Sequence, residues 1–292
     1  MNIHILGNGA WGNALFSVVK HNCPIVSIVK RSQKLIDPDV VVLSVPTQSI
    51  RESLKNISTD KNIIIVNTAK GIEKSTHLLP HKIVQSIFGN DVEYYTLIGP
   101  SFAQEVIKQM PTLVNLGYSK KNSNNIKVKN LFQTDFFRVK LTAGVEVLEL
   151  SAAFKNIYAI ACGLADGLGY GANTRAKLIV LAVDEMNTLY ERLHWTIDSH
   201  ITAGTVGDLI LTCNSAESRN FTFGSLLAAH SVQDALTMVD STVEGINSLT
   251  SVGYFEKKAG TKLLLADFVS NIVKMDNPKM VKTNFENFVK RV

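Results

Sequence analysis

Gly7-Asn8-Gly9-Ala10-Trp11-Gly12 sets three glycines at the spacing G-x-G-x-x-G. That spacing suits phosphate chemistry. Gly7 allows a tight turn off a strand, Gly9 lets the backbone approach a pyrophosphate, and Gly12 lets a helix pack closely on the strand. A helix starting here offers unpaired N–H groups and a partial positive charge to phosphate oxygens. The alternative is a glycine-rich turn without a ligand. It is disfavoured because Asn2–Leu6 reads as a buried strand and Asn13–Lys20 has helical apolar spacing, the context that a dinucleotide site requires.

Lys155 is the only charged side chain between Ser151 and Ala165, in a stretch apolar enough to be buried over most of its surface. Burial disfavours an ammonium and lowers its pKa, which would fit Lys155 for proton exchange with a reacting oxygen. The plain alternative is a lysine that snorkels to solvent. Lys70, at the end of another apolar run, is a candidate anion-binding or carbonyl-polarising cation, or else an exposed lysine in a turn. Ser218-Arg219-Asn220 sets a guanidinium between two hydrogen-bonding side chains. Its planar fork can bond two phosphate oxygens, although a surface arginine in a polar loop reads the same way. Asp208 could anchor a lysine or a substrate hydroxyl, or cap a helix. His77 and His81 lack the glutamate of a zinc motif and the other histidines form no metal spacing, so no metal site is expected.

These residues need elements to hold them. After the first strand and helix, Pro24–Val29, Asp39–Val45, Asn62–Asn67, Tyr94–Ile98, Thr112–Leu116 and Phe136–Leu141 read as strands. Helical segments at Thr47–Asn56, Lys74–Phe88 (with Pro80 as a break or restart), Ser101–Lys108 and Ser123–Gln133 alternate with them. The β-branched run Val40-Val41-Val42 suits a strand buried on both faces of a parallel sheet. The rhythm implies an α/β N-terminal domain with a Rossmann-like doubly wound parallel sheet, residues 1–141. From Val145 the pattern is helical, with long helices at Val145–Leu168 and Asn173–Leu193, so residues 142–292 form an all-α C-terminal domain. The remaining helices are expected at Thr205–Cys213, Thr222–His230, Asp234–Met238, Val243–Val252, Thr261–Val269 and Lys279–Val289. The two domains should pack tightly and leave a cleft.

Composition narrows the partners. Of 292 residues, 46% are hydrophobic and 19% charged, enough for a large core and against disorder. The net charge of +5 is mild and the basic residues are scattered, apart from Lys120-Lys121 and Lys290-Arg291. Nucleic acid is therefore not the natural partner, and a phosphorylated small molecule fits better. Cys23, Cys162 and Cys213 are far apart in sequence and are read as reduced thiols. No signal peptide is visible, and no apolar run reaches the ~18 residues of a membrane span. A cytoplasmic location is expected.

In their joint order these residues resemble the bacterial-type NAD(P)-dependent glycerol-3-phosphate dehydrogenases. The match rests on Gly7–Gly12, Val45-Pro46, Lys70-Gly71-Ile72-Glu73, Gly99-Pro100-Ser101-Phe102-Ala103, Lys155-Asn156, Gly204–Cys213, Ser218-Arg219-Asn220 and Val243-Glu244-Gly245. The resemblance implies that Trp11 and the loop of Gly7, Gly9, Ala10 and Gly12 lie along the cofactor, with Ala103 and Glu244. It implies that Lys70 holds substrate beside the nicotinamide and that Gly99 and Ser101 contact substrate. Lys155 is implied as general acid/base. Asp208, Ser218, Arg219 and Asn220 would form the substrate-phosphate side, with Arg219 shared with the cofactor. The implied reaction reduces dihydroxyacetone phosphate to sn-glycerol 3-phosphate for glycerophospholipid synthesis, in a homodimer. Two other readings stand beside it: an inactive NAD(P)H-binding relative, and a two-domain dehydrogenase of another small hydroxy acid.

A carboxylate at the end of the second strand would bind the ribose 2′-hydroxyl of NAD. Here that strand ends Val29-Lys30-Arg31, with Lys34 nearby, so NADP is favoured over NAD and Arg31 is a candidate for its 2′-phosphate. Only Ser-Gln-Lys-Leu-Ile-Asp-Pro separates Arg31 from Asp39. The family normally has a longer stretch here, so one peripheral βα unit is expected to be missing.

Overall fold

The computed structural model describes residues 1–239, 241–275 and 277–292. The chain divides into two compact units, Met1–Leu150 with Thr196–Thr205, and Ser151–Trp195 with Val206–Val292.

The first unit alternates strands and helices: β1 (Ile3–Leu6), α1 (Ala10–Asn22), β2 (Val26–Val29), β3 (Leu35–Ile36), β4 (Val40–Leu43), α2 (Ile50–Leu54), β5 (Ile57–Ser58) and β6 (Ile64–Asn67). They are followed by α3 (Pro80–Phe88), β7 (Glu93–Ile98), α4 (Ala103–Ile107), β8 (Thr112–Tyr118), α5 (Asn124–Phe132) and β9 (Phe137–Ala143). The main sheet runs in the order β2-β1-β4-β6-β7-β8-β9. Side-chain alternation along a strand explains why both faces are apolar. Val40 and Val42 point to one face, with Ile3 and Ile5, against Leu15 and Val18 of α1 and Phe132 of α5. Val41 and Leu43 point to the other, with Leu6 and Ile65, against Ile50 and Leu54 of α2 and Ile83 and Val84 of α3. The sheet is predominantly parallel, as the alternation of elements predicts.

Three details of this first unit depart from the sequence expectations. First, β8 runs antiparallel to β7. The five residues of α4 advance only ~8 Å, too little to carry the chain back across the sheet, so the next strand re-enters from the same end. Second, the helix expected over Lys74–Phe88 begins only at Pro80, where a missing N–H costs nothing. Third, the shortened stretch after Arg31 contains a two-residue strand, β3, paired in parallel with β5. Strand β2 forms the edge of the main sheet.

Helix α6 (Val145–Gly167) begins in the first unit and continues into the second. By length and composition it is apolar enough to cross a membrane, which corrects the expectation that no run would reach that mark. Its apolar window is entirely buried, so it is a core helix. The second unit continues with α7 (Ala172–Arg192), α8 (Asp208–Cys213), α9 (Arg219–Leu226), α10 (Val232–Val239), α11 (Glu244–Leu249), α12 (Val252–Ala259), α13 (Leu264–Met275) and α14 (Pro278–Arg291). The single helix expected at Val243–Val252 is thus two, and the one expected at Thr222–His230 starts at Arg219. A five-residue π-helical turn, Ala203–Gly207, precedes α8.

Glycines bring α6 and α9 together. A Cβ on Gly163 would lie 1.9 Å from the carbonyl oxygen of Phe221, and one on Gly224 would lie 2.1 Å from that of Ile160. The two backbones therefore approach more closely than any side chain permits, which puts the start of α9 beside the middle of α6. Phe268 of α13 stacks on Phe288 of α14 with ring centroids 4.2 Å apart.

Candidate active site

In the first unit the glycine loop has the shape its spacing predicts. Gly7 has φ of +118°, and a Cβ there would lie 2.3 Å from the carbonyl oxygen of Ser44. A Cβ on Gly12 would lie 2.0 Å from the carbonyl oxygen of Gly7, so a side chain would push α1 off the turn. Gly9 is different, because a Cβ there would meet no protein atom within 4 Å. Gly9 is the N-cap of α1, whose first turn has no side-chain cap and no acidic residue. Asn13 Nδ2 donates to the carbonyl oxygens of Asn8 (3.1 Å) and Gly9 (2.9 Å) and sets the loop over the helix start. An open cradle over uncapped N–H groups fits a pyrophosphate.

Ala10 opens α1 and Ala103 opens α4. Trp11 and Ala103 both pack half-buried against the core on the α1 face of the sheet. The Trp11 Nε1 and the Ser44 Oγ are buried without a hydrogen-bond partner among the described residues. A ligand with polar edges would satisfy such atoms, and these residues fit a dinucleotide. Arg31 is exposed just beyond β2. Its Nη1 donates to Ser49 Oγ at 3.2 Å, and its carbonyl oxygen accepts from Asn56 Nδ2 at 3.1 Å.

Lys70, Gly99 and Ser101 come together at the carboxyl ends of β6 and β7. Lys70 Nζ donates to the Gly99 carbonyl oxygen at 2.9 Å, and Ser101 Oγ donates to the same oxygen at 3.0 Å. A Cβ on Gly99 would lie 2.7 Å from the Cα of Val114, so the chain turns here only with glycine. The segment after Lys70 is anchored by Glu73, whose two carboxylate oxygens accept from Arg51 Nε and Nη2, each at 2.9 Å. That pairing, with the Thr76 hydroxyl, holds the Glu73 carboxyl below its ordinary range although burial opposes it.

In the second unit Lys155 is 5% exposed. Its Nζ donates to Asp208 Oδ1 at 2.7 Å and to Thr212 Oγ1 at 2.8 Å. Asp208 is itself 1% exposed, so a buried ammonium meets a buried carboxylate, the arrangement in which such charges are tolerated. Gly207, not Asp208, occupies the N-cap position of α8. The Asp208 side chain is thereby given to Lys155, one of the roles its position suggested. Thr212 was not singled out in the sequence. Its spacing of four from Asp208 on a helix is the signal that could have found it.

Asn156 follows Lys155, and its Oδ1 accepts from Asn220 Nδ2 at 3.0 Å. Asn220 Oδ1 accepts from the N–H of Gly245 at 2.8 Å. Both functional groups of the Asn220 amide are thus engaged in tying α6, α9 and α11 together. Ser218 Oγ accepts from the N–H of Phe221 at 3.3 Å, as N-cap of α9. Arg219 lies exposed on the first turn of α9, not in a polar loop, and its Nη1 donates to Ser241 Oγ at 2.7 Å. Glu244 opens α11 with its Oε2 buried and, among the described residues, unpartnered. Burial pushes its carboxyl up to about 7, against the pull of the Arg219 charge.

Comparison with known proteins identifies the family. The family model described as NAD-dependent glycerol-3-phosphate dehydrogenase C-terminus matches residues 144–282, and the corresponding N-terminus model matches residues 32–124. A glycerol-3-phosphate dehydrogenase [NAD(P)+] of Syntrophomonas wolfei is 35% identical, with 78% of this chain and 68% of that protein covered. One of Wolbachia pipientis is 30% identical, with 94% and 95% covered. Among solved structures, glycerol-3-phosphate dehydrogenase from Coxiella burnetii has a TM-score of 0.86 at 26% identity, covering 99% of this chain and 98% of that one. The Saccharomyces cerevisiae enzyme shares the fold, with a TM-score of 0.83 at 20% identity and 99% of each chain covered. With both family models matched in order over most of its length, the chain belongs to the NAD-dependent glycerol-3-phosphate dehydrogenase family.

Proposed function

We propose that this chain interconverts dihydroxyacetone phosphate and sn-glycerol 3-phosphate, with an NAD(P) cofactor. Family membership supports the reaction class. The observation that carries the mechanism is the buried Lys155 ammonium, held at 2.7 Å by Asp208 and at 2.8 Å by Thr212. Bound reduced nicotinamide supplies the hydride to the ketone carbon. Lys155 Nζ gives a proton to the ketone oxygen as it becomes an alkoxide, and takes it back in the oxidation direction. Asp208 and Thr212 fix the direction of that ammonium, so little reorganisation is needed when the proton moves.

Arg219 supplies a planar fork for the substrate phosphate, with Asp208, Ser218 and Asn220 on the same side. Lys70 is the second cation and lies towards the carbonyl and the nicotinamide, with Gly99 and Ser101 lining its surroundings. In this reading residues 1–141 bind the dinucleotide through Gly7, Gly9, Ala10, Trp11, Gly12 and Ala103. Residues 142–292 supply the acid/base and phosphate groups, and Arg219 and Glu244 are assigned to the cofactor as well. Arg31, with no carboxylate at the end of β2, favours NADPH through its 2′-phosphate. The product would supply phospholipid backbones, and the working form would be a homodimer.

The test is loss of near-ultraviolet absorbance from NADPH, and separately from NADH, on adding dihydroxyacetone phosphate to purified protein. Fast oxidation is expected with the phosphorylated ketone, much slower oxidation with dihydroxyacetone, and a preference for NADPH. A folded sample that binds NADPH yet oxidises neither cofactor would contradict the reading and leave an inactive NAD(P)H-binding protein.

A further inference from the structure

We propose that Asn67 is a positioning residue that sets the aim of Lys70, an inference that rests on the substrate-binding role of Lys70 given above. Strand β6 reads Ile64-Ile65-Val66 and then, at its last position, changes to a completely buried asparagine. In register Asn67 lies between Leu43 of β4 and Thr96 of β7, where another apolar residue would continue the run. A polar side chain in such a place is costly unless its groups are bonded.

They are bonded, and chiefly to one residue. Asn67 Oδ1 accepts from the N–H of Ala69 at 3.0 Å, and Asn67 Nδ2 donates to the carbonyl oxygen of Ala69 at 3.1 Å. The same Nδ2 donates to Thr96 Oγ1 at 3.2 Å. One side chain thus holds both polar backbone groups of Ala69. The carbonyl of Ala69 belongs to the planar peptide that carries the Lys70 nitrogen, so holding it sets the plane from which Lys70 departs. The intervening residue is fixed as well, because the N–H and Oγ1 of Thr68 donate to the carbonyl oxygen of Leu43 at 3.1 and 2.8 Å. The chain therefore leaves the sheet along one path, and Lys70 Nζ arrives 2.9 Å from the carbonyl oxygen of Gly99. A bare turn from β6 would not need an amide in this position. A turn that must deliver a lysine to one point does.

The test compares Asn67→Ala, Lys70→Ala, their double variant and Thr96→Val in steady-state reduction of dihydroxyacetone phosphate at saturating NADPH. Small displacements of a positioning group are costly, so Asn67→Ala is expected to raise the KM for dihydroxyacetone phosphate about tenfold or more. The dissociation constant for NADPH, from fluorescence titration, is expected to stay within about twofold. In the Lys70→Ala background the same change is expected to add nothing further, because the residue it positions is gone. Thr96→Val breaks one bond of the same buried amide but leaves both Ala69 bonds, and its KM is expected to match that of the parent protein. Asn67→Leu, which has a similar volume and continues the apolar run without donor or acceptor, is expected to raise KM likewise and serves if the alanine variant does not fold. An equal rise in KM with and without Lys70, or an equal rise from Thr96→Val, would overturn the proposal in favour of a purely structural asparagine. An effect of Lys70→Ala with a silent Asn67→Ala would overturn the proposal alone. A silent Lys70→Ala would overturn the role of Lys70 and the proposal together.

Discussion

Three ionisable groups of the second unit, each held away from water, are handled in three ways. Lys155 meets a carboxylate and a hydroxyl, Glu244 keeps one oxygen buried without a partner among the described residues, and Glu185 accepts from backbone. The carboxylate of Glu185 accepts from the N–H groups of Leu265 (2.5 Å) and Ala266 (3.3 Å) at the start of α13, and from Tyr158 Oη at 3.2 Å. Burial nevertheless pushes it from 4.5 up to about 7. A carboxyl with a raised folded pKa holds its proton more tightly in the native state. Its contribution to stability is complete below pH 4.5 and is lost as pH rises through about 7. Glu185→Gln mimics the protonated form, with its amide donating towards Tyr158. Thermal denaturation across pH 5 to 8 is expected to show a shallower fall in stability for this variant, with a residual slope from Glu244. At pH 8 the gain is expected to be ~2 kcal/mol. An unchanged slope would mean that Glu185 is ionised at no cost.

Also at the residue scale, Arg31 offers the test of cofactor choice. A charge-assisted bond to a 2′-phosphate is lost with the guanidinium, so Arg31→Ala is expected to weaken NADPH binding about tenfold while NADH binding changes little. Fluorescence titration with each cofactor checks it. The residues of the candidate site stood out in the sequence one by one: a lone lysine in an apolar helix, an isolated aspartate, an arginine between two polar residues. Thr212 was not, because a threonine in an apolar stretch is ordinary until its helical partner is known. Nor was Asn67, whose meaning depends on what it bonds two residues away.

At the scale of elements, glycines decide how closely α6 and α9 pack. Gly163→Ala places a methyl carbon 1.9 Å from the carbonyl oxygen of Phe221, and backbone there cannot rotate away as a side chain can. The helices must separate, and the variant is expected to lose about 2 kcal/mol or more in urea denaturation. Because α9 carries Arg219 and Asn220, the KM for dihydroxyacetone phosphate should rise as well. Wild-type stability and KM would show that the contact relaxes freely. The strand–helix rhythm was legible because β-branched runs and 3.6-residue spacing are local signals. The antiparallel β8 was not legible, because direction depends on how far the short α4 carries the chain. The β3–β5 pair was missed because two-residue strands have no periodicity to read.

The whole molecule joins an α/β unit with a glycine loop over uncapped N–H groups to a helical unit with a buried, paired lysine. Strand β2 is the edge of the main sheet, and the short stretch after Arg31 leaves the Lys70–Gly99 contact in place. On that basis the protein should be a working enzyme, and the central claim is that Lys155 moves the proton. The most direct measurement is the turnover of Lys155→Ala with dihydroxyacetone phosphate, beside its NADPH dissociation constant and its melting profile. Removal of a general acid costs on the order of 10² to 10⁴ in rate, so kcat is expected to fall by that much with NADPH binding retained in a folded protein. Turnover that drops only in proportion to lost cofactor occupancy would contradict the account and make Lys155 a structural residue.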